Sequence, residues 1–177
     1  LVESKKNKKT LYFHIGKFKT GSTSIQNFLY LNRKVLEKRG VCYPDISNSR
    51  AKRFINGRSL FRFLSDGNMS KARQLIQKAV KEAEAQSCSA ILISNECFSR
   101  RAVAQNPDFC FENLTAENVH RLFSALNWDV KVVIYVRPFV EYMVSFWNTE
   151  ILKGATDLGL EEYVEGYCYE DELDQIY

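Results

Sequence analysis

Apolar residues along this chain follow two rhythms, one with a period of two or no polar break, the other with a period near 3.6. Leu11, Phe13 and Ile15 alternate with Tyr12 and His14, which predicts a short first strand. Ile25, Phe28, Leu29, Asn32, Val35 and Leu36 then fall at helical spacing, and Gly40 suits the position that ends such a helix. Val41-Cys-Tyr-Pro44 predicts a short edge strand, and residues 45–68 carry the least regular pattern. Ser70 is the expected N-cap of a helix bearing Ala72, Leu75, Ile76, Ala79, Val80 and Ala83. Ala90-Ile-Leu-Ile-Ser94 is an unbroken apolar run, the mark of a strand buried on both faces. A loop through Pro107 leads to Thr115, which can cap a helix with Val119, Leu122, Phe123 and Leu126. Val130-Lys-Val-Val-Ile-Tyr-Val136 reads as the strongest strand, and Pro138 opens a helix that runs to about Gly154.

Strands alternating with helices, several of them apolar throughout, predict an α/β three-layer sandwich around a mainly parallel central sheet. Ligands in such folds gather at the C-terminal ends of the strands. The loop at 16–23, Asn95-Glu96 and Arg137 all fall at such ends. A chain of 177 residues suits one domain, expected over 10–177 behind a basic tail at 1–9. No internal repeat, low-complexity tract or linker interrupts it.

Composition narrows the class. A 45% hydrophobic and 13% aromatic content argues for a folded protein. No run of about 18 apolar residues is present, so no transmembrane helix is expected. The first residues lack the apolar core of a signal peptide, and the missing initiator Met points to a processed chain or a fragment. The net charge of +4 is carried largely by Lys5, Lys6, Lys8 and Lys9, read as a solvated terminus rather than a nucleic-acid arm. A second basic stretch, Arg50, Lys52, Arg53, Arg58 and Arg62, is interleaved with Phe54, Leu60, Phe61 and Phe63. It is either an ordinary amphipathic segment or a rim that attracts an anion. From Gly154 to Tyr177 there are eight acids and no Lys or Arg. Five cysteines without a C-x-x-C pattern, beside two histidines, argue against a zinc site or a disulfide framework. Free thiols in a reducing, cytoplasmic setting are the expectation. Asn68-Met-Ser70 and Asn113-Leu-Thr115 match a glycosylation tripeptide that is common by chance.

The chemistry starts at Leu11-Tyr-Phe-His-Ile-Gly-Lys-Phe-Lys-Thr-Gly-Ser-Thr-Ser-Ile25, a strand, a glycine-flanked loop and a helix. Amides at a helix N-terminus and the helix dipole together favour an anion there. The triphosphatase loop is G-x-x-x-x-G-K-[ST]. Gly16 and Gly21 keep that spacing, but Ser22 stands where the lysine belongs and Lys19 precedes the second glycine. Lys17 is either a second phosphate contact or solvated. Glu96 offers a carboxylate, and also reads as a cap or as a partner for Arg100 or Arg101. Arg137 precedes Ser145 by eight residues, about 12 Å along a helix. It can grip a second phosphate with that hydroxyl or pair with Glu141. His14 reads as a satisfied strand histidine, and as the alternative base.

Lys19-Thr-Gly-Ser-Thr-Ser24 resembles the 5′-phosphosulfate loop of sulfotransferases that use 3′-phosphoadenosine 5′-phosphosulfate (PAPS). Ile134-Tyr-Val-Arg-Pro-Phe-Val-Glu-Tyr-Met-Val-Ser145 resembles their 3′-phosphate strand and helix. His14 to Gln26 and Ser145-Phe-Trp-Asn-Thr-Glu150 are similar to a bacterial, carbohydrate-directed branch, and Leu92-Ile-Ser-Asn-Glu96 to the strand bearing its catalytic carboxylate. The resemblance implies a P-loop NTPase-like sulfotransferase fold. It implies transfer of a sulfuryl group from PAPS to a hydroxyl, with a glycan the favoured acceptor, releasing adenosine 3′,5′-bisphosphate without a metal. It implies Lys19 and Glu96 as catalytic residues. Lys17, Lys19, Thr20, Gly21, Ser22, Thr23, Arg137 and Ser145 would be the nucleotide contacts. Pro138 directly follows Arg137 where many relatives have an intervening residue. Because the family usually runs well beyond this length, the domain is expected to be incomplete at its C-terminus. A kinase-like phosphoryl transferase and a non-catalytic binding module of the same fold are the competing classes.

Overall fold

A computed structural model describes residues 9–16, 19–47, 53–99 and 116–166. The chain divides into two compact units, Leu1–Ile134 and Tyr135–Tyr177. Among the described residues the first unit holds four strands, β1 (Thr10–His14), β2 (Val41–Cys42), β3 (Ala90–Ser94) and β4 (Asp129–Val133). They form one sheet in the order β2-β3-β1-β4, and every pairing is parallel. Between them lie α1 (Ser22–Leu31), α2 (Arg33–Glu37), α3 (Arg58–Ser65), α4 (Met69–Ala85), α5 (Ala116–Phe123) and a 3-10 turn at Glu96–Ser99. The α/β class with a parallel central sheet is therefore the one that forms.

Strand order decides where the helices go. The chain steps one way from β1 to β2, then back through β3 to β4. Right-handed crossovers then place α1 and α2 on one face, and α3, α4 and α5 on the other. The contacts agree. Gln26 of α1 reaches Ser94, whose side chain shares a face with its register partner His14. Leu11, Phe13, Ile91 and Ile93 point the other way and cluster with Leu64, Ile76 and Phe123. All four strand residues are fully buried or nearly so. Each such burial contributes about 1.5–3 kcal/mol. The Phe13 ring meets those of Phe98 and Phe123 edge-on, at centroid distances of 4.6 and 5.0 Å.

Four local expectations are corrected. Asn68, not Ser70, caps α4, its side-chain oxygen accepting from the Lys71 amide at 3.1 Å. Residues 45–68 are not wholly irregular: α3 buries Leu60, Phe61 and Leu64 and exposes Arg58 and Arg62. Arg58 and Arg62 of the basic stretch thus lie on an amphipathic helix. The helix after the loop breaks at Asn32, whose side-chain amide donates to the Phe28 carbonyl at 2.8 Å and competes with the helical ladder. Finally, β4 stops at Val133 rather than Val136. Among the described residues it is an edge strand that pairs with β1 alone, and the last ladder bond, Ile15 amide to Val133 carbonyl at 3.0 Å, is made where β1 turns into the loop. Val132 is consequently 57% exposed. Thr115 lies outside the described residues.

The second unit holds α6 (Phe139–Lys153) and α7 (Leu160–Glu165). Pro138 is the N-cap of α6, one position ahead of the first turn, and Gly154 ends the helix at φ +67°. The Trp147 indole N–H donates to the Leu158 carbonyl at 2.9 Å and ties α6 to the approach to α7. The acidic stretch after Gly154 gave no hint of α7. Among the described residues no helix is long and apolar enough to cross a membrane. Cys42 and Cys88 are buried free thiols, and burial pushes the Cys42 thiol up to about 12. Cys110 and Cys168 lie outside the described residues.

Candidate functional site

In an open parallel sheet, ligands bind outside the carboxyl ends of two neighbouring strands whose connections leave toward opposite faces. Here β1 and β3 are such a pair, since α1 follows β1 on one face and α5 follows β3 on the other. The loop after His14 and the turn after Ser94 are the two rims of that crevice.

The loop bends sharply. Gly16, Lys19 and Gly21 have φ of +34°, +64° and +80°. Glycine adopts this region freely, but a lysine held there costs about 1–3 kcal/mol. Among the described residues only Ser87 shares that conformation with Lys19 outside glycine. Such strain concentrates where a loop must present a group to a ligand. Gly21 is the N-cap of α1 and offers no side-chain cap. Ser24 and Ile25 amides bond back to the Gly21 carbonyl, at 3.1 and 3.3 Å. The amides of Ser22 and Thr23, at the start of the helix, lack intrahelical acceptors and suit an anion. Ser22 is buried, whereas Thr23 and Gly21 are exposed. Lys17 lies outside the described residues.

Beneath the loop is a buried polar cluster. The register of β1 and β3 sets His14 beside Ser94, with His14 Nδ1 2.6 Å from Ser94 Oγ. Gln26 Nε2 donates both to Ser94 Oγ at 3.0 Å and to Glu96 Oε2 at 2.8 Å. Gln26 is fully buried, and His14, Ser94 and Glu96 are nearly so. Burial lowers the His14 pKa, and the charge of Glu96 partly opposes that shift. Asn56 pins the end of β3: its side chain accepts from the Ser94 amide and donates to the Leu92 carbonyl, both at 2.9 Å. The Asn95 side chain accepts from the Cys97 amide at 3.1 Å and starts the turn that carries Glu96. Gln26 Oε1 and Asn95 Nδ2 are buried without a hydrogen-bond partner. Each such group costs about 1–3 kcal/mol, a cost usually met where a site has a use for the group.

The structure thus brings Glu96 together with His14 and with the helix that opens at Ser22. It places Arg137 and Ser145 in the second unit, on the segment before α6 and on α6 itself. Arg137 does not end a strand as expected, because β4 stops four residues earlier. Its Nε lies 3.9 Å from a Glu141 carboxylate oxygen in an exposed pair, a contact worth about 0–1 kcal/mol that a phosphate can displace. Sequence reasoning missed Gln26, Ser94 and Asn56. The one signal was a glutamine four residues into an otherwise apolar-patterned helix.

No family model, curated protein or solved structure matches the chain significantly. The functional reading therefore rests on the residues themselves and their geometry.

Proposed function

We propose that this chain is a PAPS-dependent sulfotransferase with the P-loop NTPase-like sulfotransferase fold, acting on a hydroxyl of a carbohydrate acceptor. The observation that carries the reading is Lys19, held in a left-handed conformation between two glycines on the loop joining β1 to the N-terminus of α1. A triphosphatase loop would carry its lysine after the second glycine. A lysine ahead of it is the pattern of the 5′-phosphosulfate loop that the sequence resembles.

The acceptor oxygen attacks sulfur in line. The new O–S bond forms as the bond from sulfur to the bridging oxygen breaks, the acceptor proton passes to Glu96, and adenosine 3′,5′-bisphosphate leaves. Lys19 stabilises the charge that develops on the bridging oxygen, where preorganised electrostatics contribute most. Amides from Thr20 to Thr23 hold the 5′ group; Arg137 and Ser145 are assigned to the 3′-phosphate by the sequence resemblance, not by geometry. The crevice between β1 and β3 supports this assignment, because loop and carboxylate stand on its two rims.

Transfer of labelled sulfate from PAPS to a panel of glycans tests the reading. Glu96→Gln is expected to lower transfer about 10²–10⁴-fold, the usual contribution of a general base, while leaving bisphosphate binding in place. Undiminished transfer would remove Glu96 from the mechanism. A wild-type chain that binds the bisphosphate but transfers to no glycan would favour the non-catalytic module.

A further inference from the structure

Gln26 lies off the apolar stripe of Ile25, Phe28 and Leu29, yet it is fully buried. Burying a glutamine forfeits rotamer freedom and desolvates an amide. Its bonds show what offsets this. An amide nitrogen has two protons, and Gln26 Nε2 directs one to Ser94 Oγ at 3.0 Å and one to Glu96 Oε2 at 2.8 Å. An ionised carboxylate only accepts, so Glu96 dictates which end of the Gln26 amide faces it.

The consequence passes along the chain of bonds. Ser94 Oγ accepts from Gln26 and still has its own proton to place, and His14 Nδ1, 2.6 Å away, is positioned to accept it. Nδ1 is then an acceptor, and the neutral imidazole carries its proton on Nε2. His14 Nε2 lies directly under the loop, since a Cβ built on Gly16 would fall 2.6 Å from it. One buried amide therefore orders a carboxylate on the β3 rim and an imidazole on the β1 rim together.

We propose that Gln26 is the positioning residue of this site: it clamps the Glu96 carboxylate and, through Ser94, locks His14 as the Nε2–H tautomer beneath the phosphate loop. Gln26 acts through Glu96 and Ser94, not on reacting atoms. Its effect on turnover rests on the reading of Glu96 as the base, but the clamp itself does not.

The test uses nitrogen NMR of the two histidines in the chain, with His120→Gln to assign His14. The wild type is expected to show His14 as a single Nε2–H tautomer. In Glu96→Gln the carboxylate no longer fixes the Gln26 amide, which is free to flip. Ser94 can then donate to Gln26 Oε1, and His14 is expected to populate both tautomers. Gln26→Met is expected to release the tautomer as well, and adding Glu96→Gln to it should change nothing further. If Gln26→Met does not fold, Glu96→Gln decides alone. A Nδ1–H tautomer in the wild type, or a tautomer unmoved by Glu96→Gln, overturns the clamp. Gln26→Met should also lower kcat about 10²-fold, the scale of a misplaced catalytic group, with KM for PAPS unchanged. Should the wild type prove inactive, the sulfotransferase reading falls and the NMR result still judges the clamp.

Discussion

Replacing Lys19 by alanine is expected to lower sulfuryl transfer about 10²–10³-fold, the scale seen when one preorganised charge-stabilising donor is removed from a reacting centre. In the proposed mechanism the ammonium group of Lys19 counters charge that appears only as the bridging bond breaks, so the loss should fall on kcat more than on KM for PAPS. Lys19→Gly separates the side chain from the backbone. Glycine takes the observed φ of +64° without strain, so this variant keeps the loop and deletes the charge. Both variants should lose transfer equally, by the same labelled-sulfate assay. If Lys19→Gly retained activity that Lys19→Ala lost, the lysine would be serving the loop's shape rather than the reaction.

Gly16→Ala is expected to be the most damaging single change in the loop for stability. The new Cβ would sit 2.6 Å from His14 Nε2 and 2.8 Å from its Cε1. His14 cannot swing aside, because it is buried and bonded through Nδ1 to Ser94. Left-handed strain of about 1–3 kcal/mol adds to an overpacking cost of about 1–3 kcal/mol. A loss of about 3 kcal/mol or more follows, and in a domain of this size it lowers Tm by roughly 6–12 °C. Gly21→Ala is the internal control, since its Cβ would meet nothing within 4 Å and only its φ of +80° opposes it. Thermal unfolding of the two variants compares them directly. Equal destabilisation would mean that His14 does not pack against the loop as described.

Where one physical effect governed an element, it was legible in the sequence. Ala90–Ser94 had to be buried on both faces because no polar residue interrupts it, and it became β3 in the middle of the sheet. The α4 stripe from Ala72 to Ala83 needed only its period. Gly154 ended α6 because glycine adopts a left-handed cap there without strain. Elsewhere two effects competed. Ile25, Phe28 and Leu29 promised an apolar inner face for α1, but its buried residues are Ser22 and Gln26. Phe28 is 61% exposed and Leu31 71%. Hydrogen bonds to Ser94 and Glu96 set the rotation of the helix, and periodicity cannot register them. The length of β4 was overestimated for a related reason. Strand propensity continues through Ile134, Tyr135 and Val136, but a ladder needs a partner, and β1 has already left the sheet at Gly16.

The same competition marks the site. Lys19 and Glu96 were legible because charged groups beside glycine or at a strand end have few structural uses. Gln26 and Asn56 were not, because their roles depend on partners 70 and 38 residues away in the chain.

The central claim is that the loop at 16–23 cradles the 5′ end of a nucleotide phosphorylated at both ends. Isothermal titration with adenosine 3′,5′-bisphosphate, set beside ATP with Mg²⁺, tests it most directly. The expected result is tighter binding of the bisphosphate, independent of Mg²⁺ and weakened in both Lys19→Ala and Arg137→Ala. Tighter binding of ATP with Mg²⁺, or no binding of the bisphosphate, would contradict it.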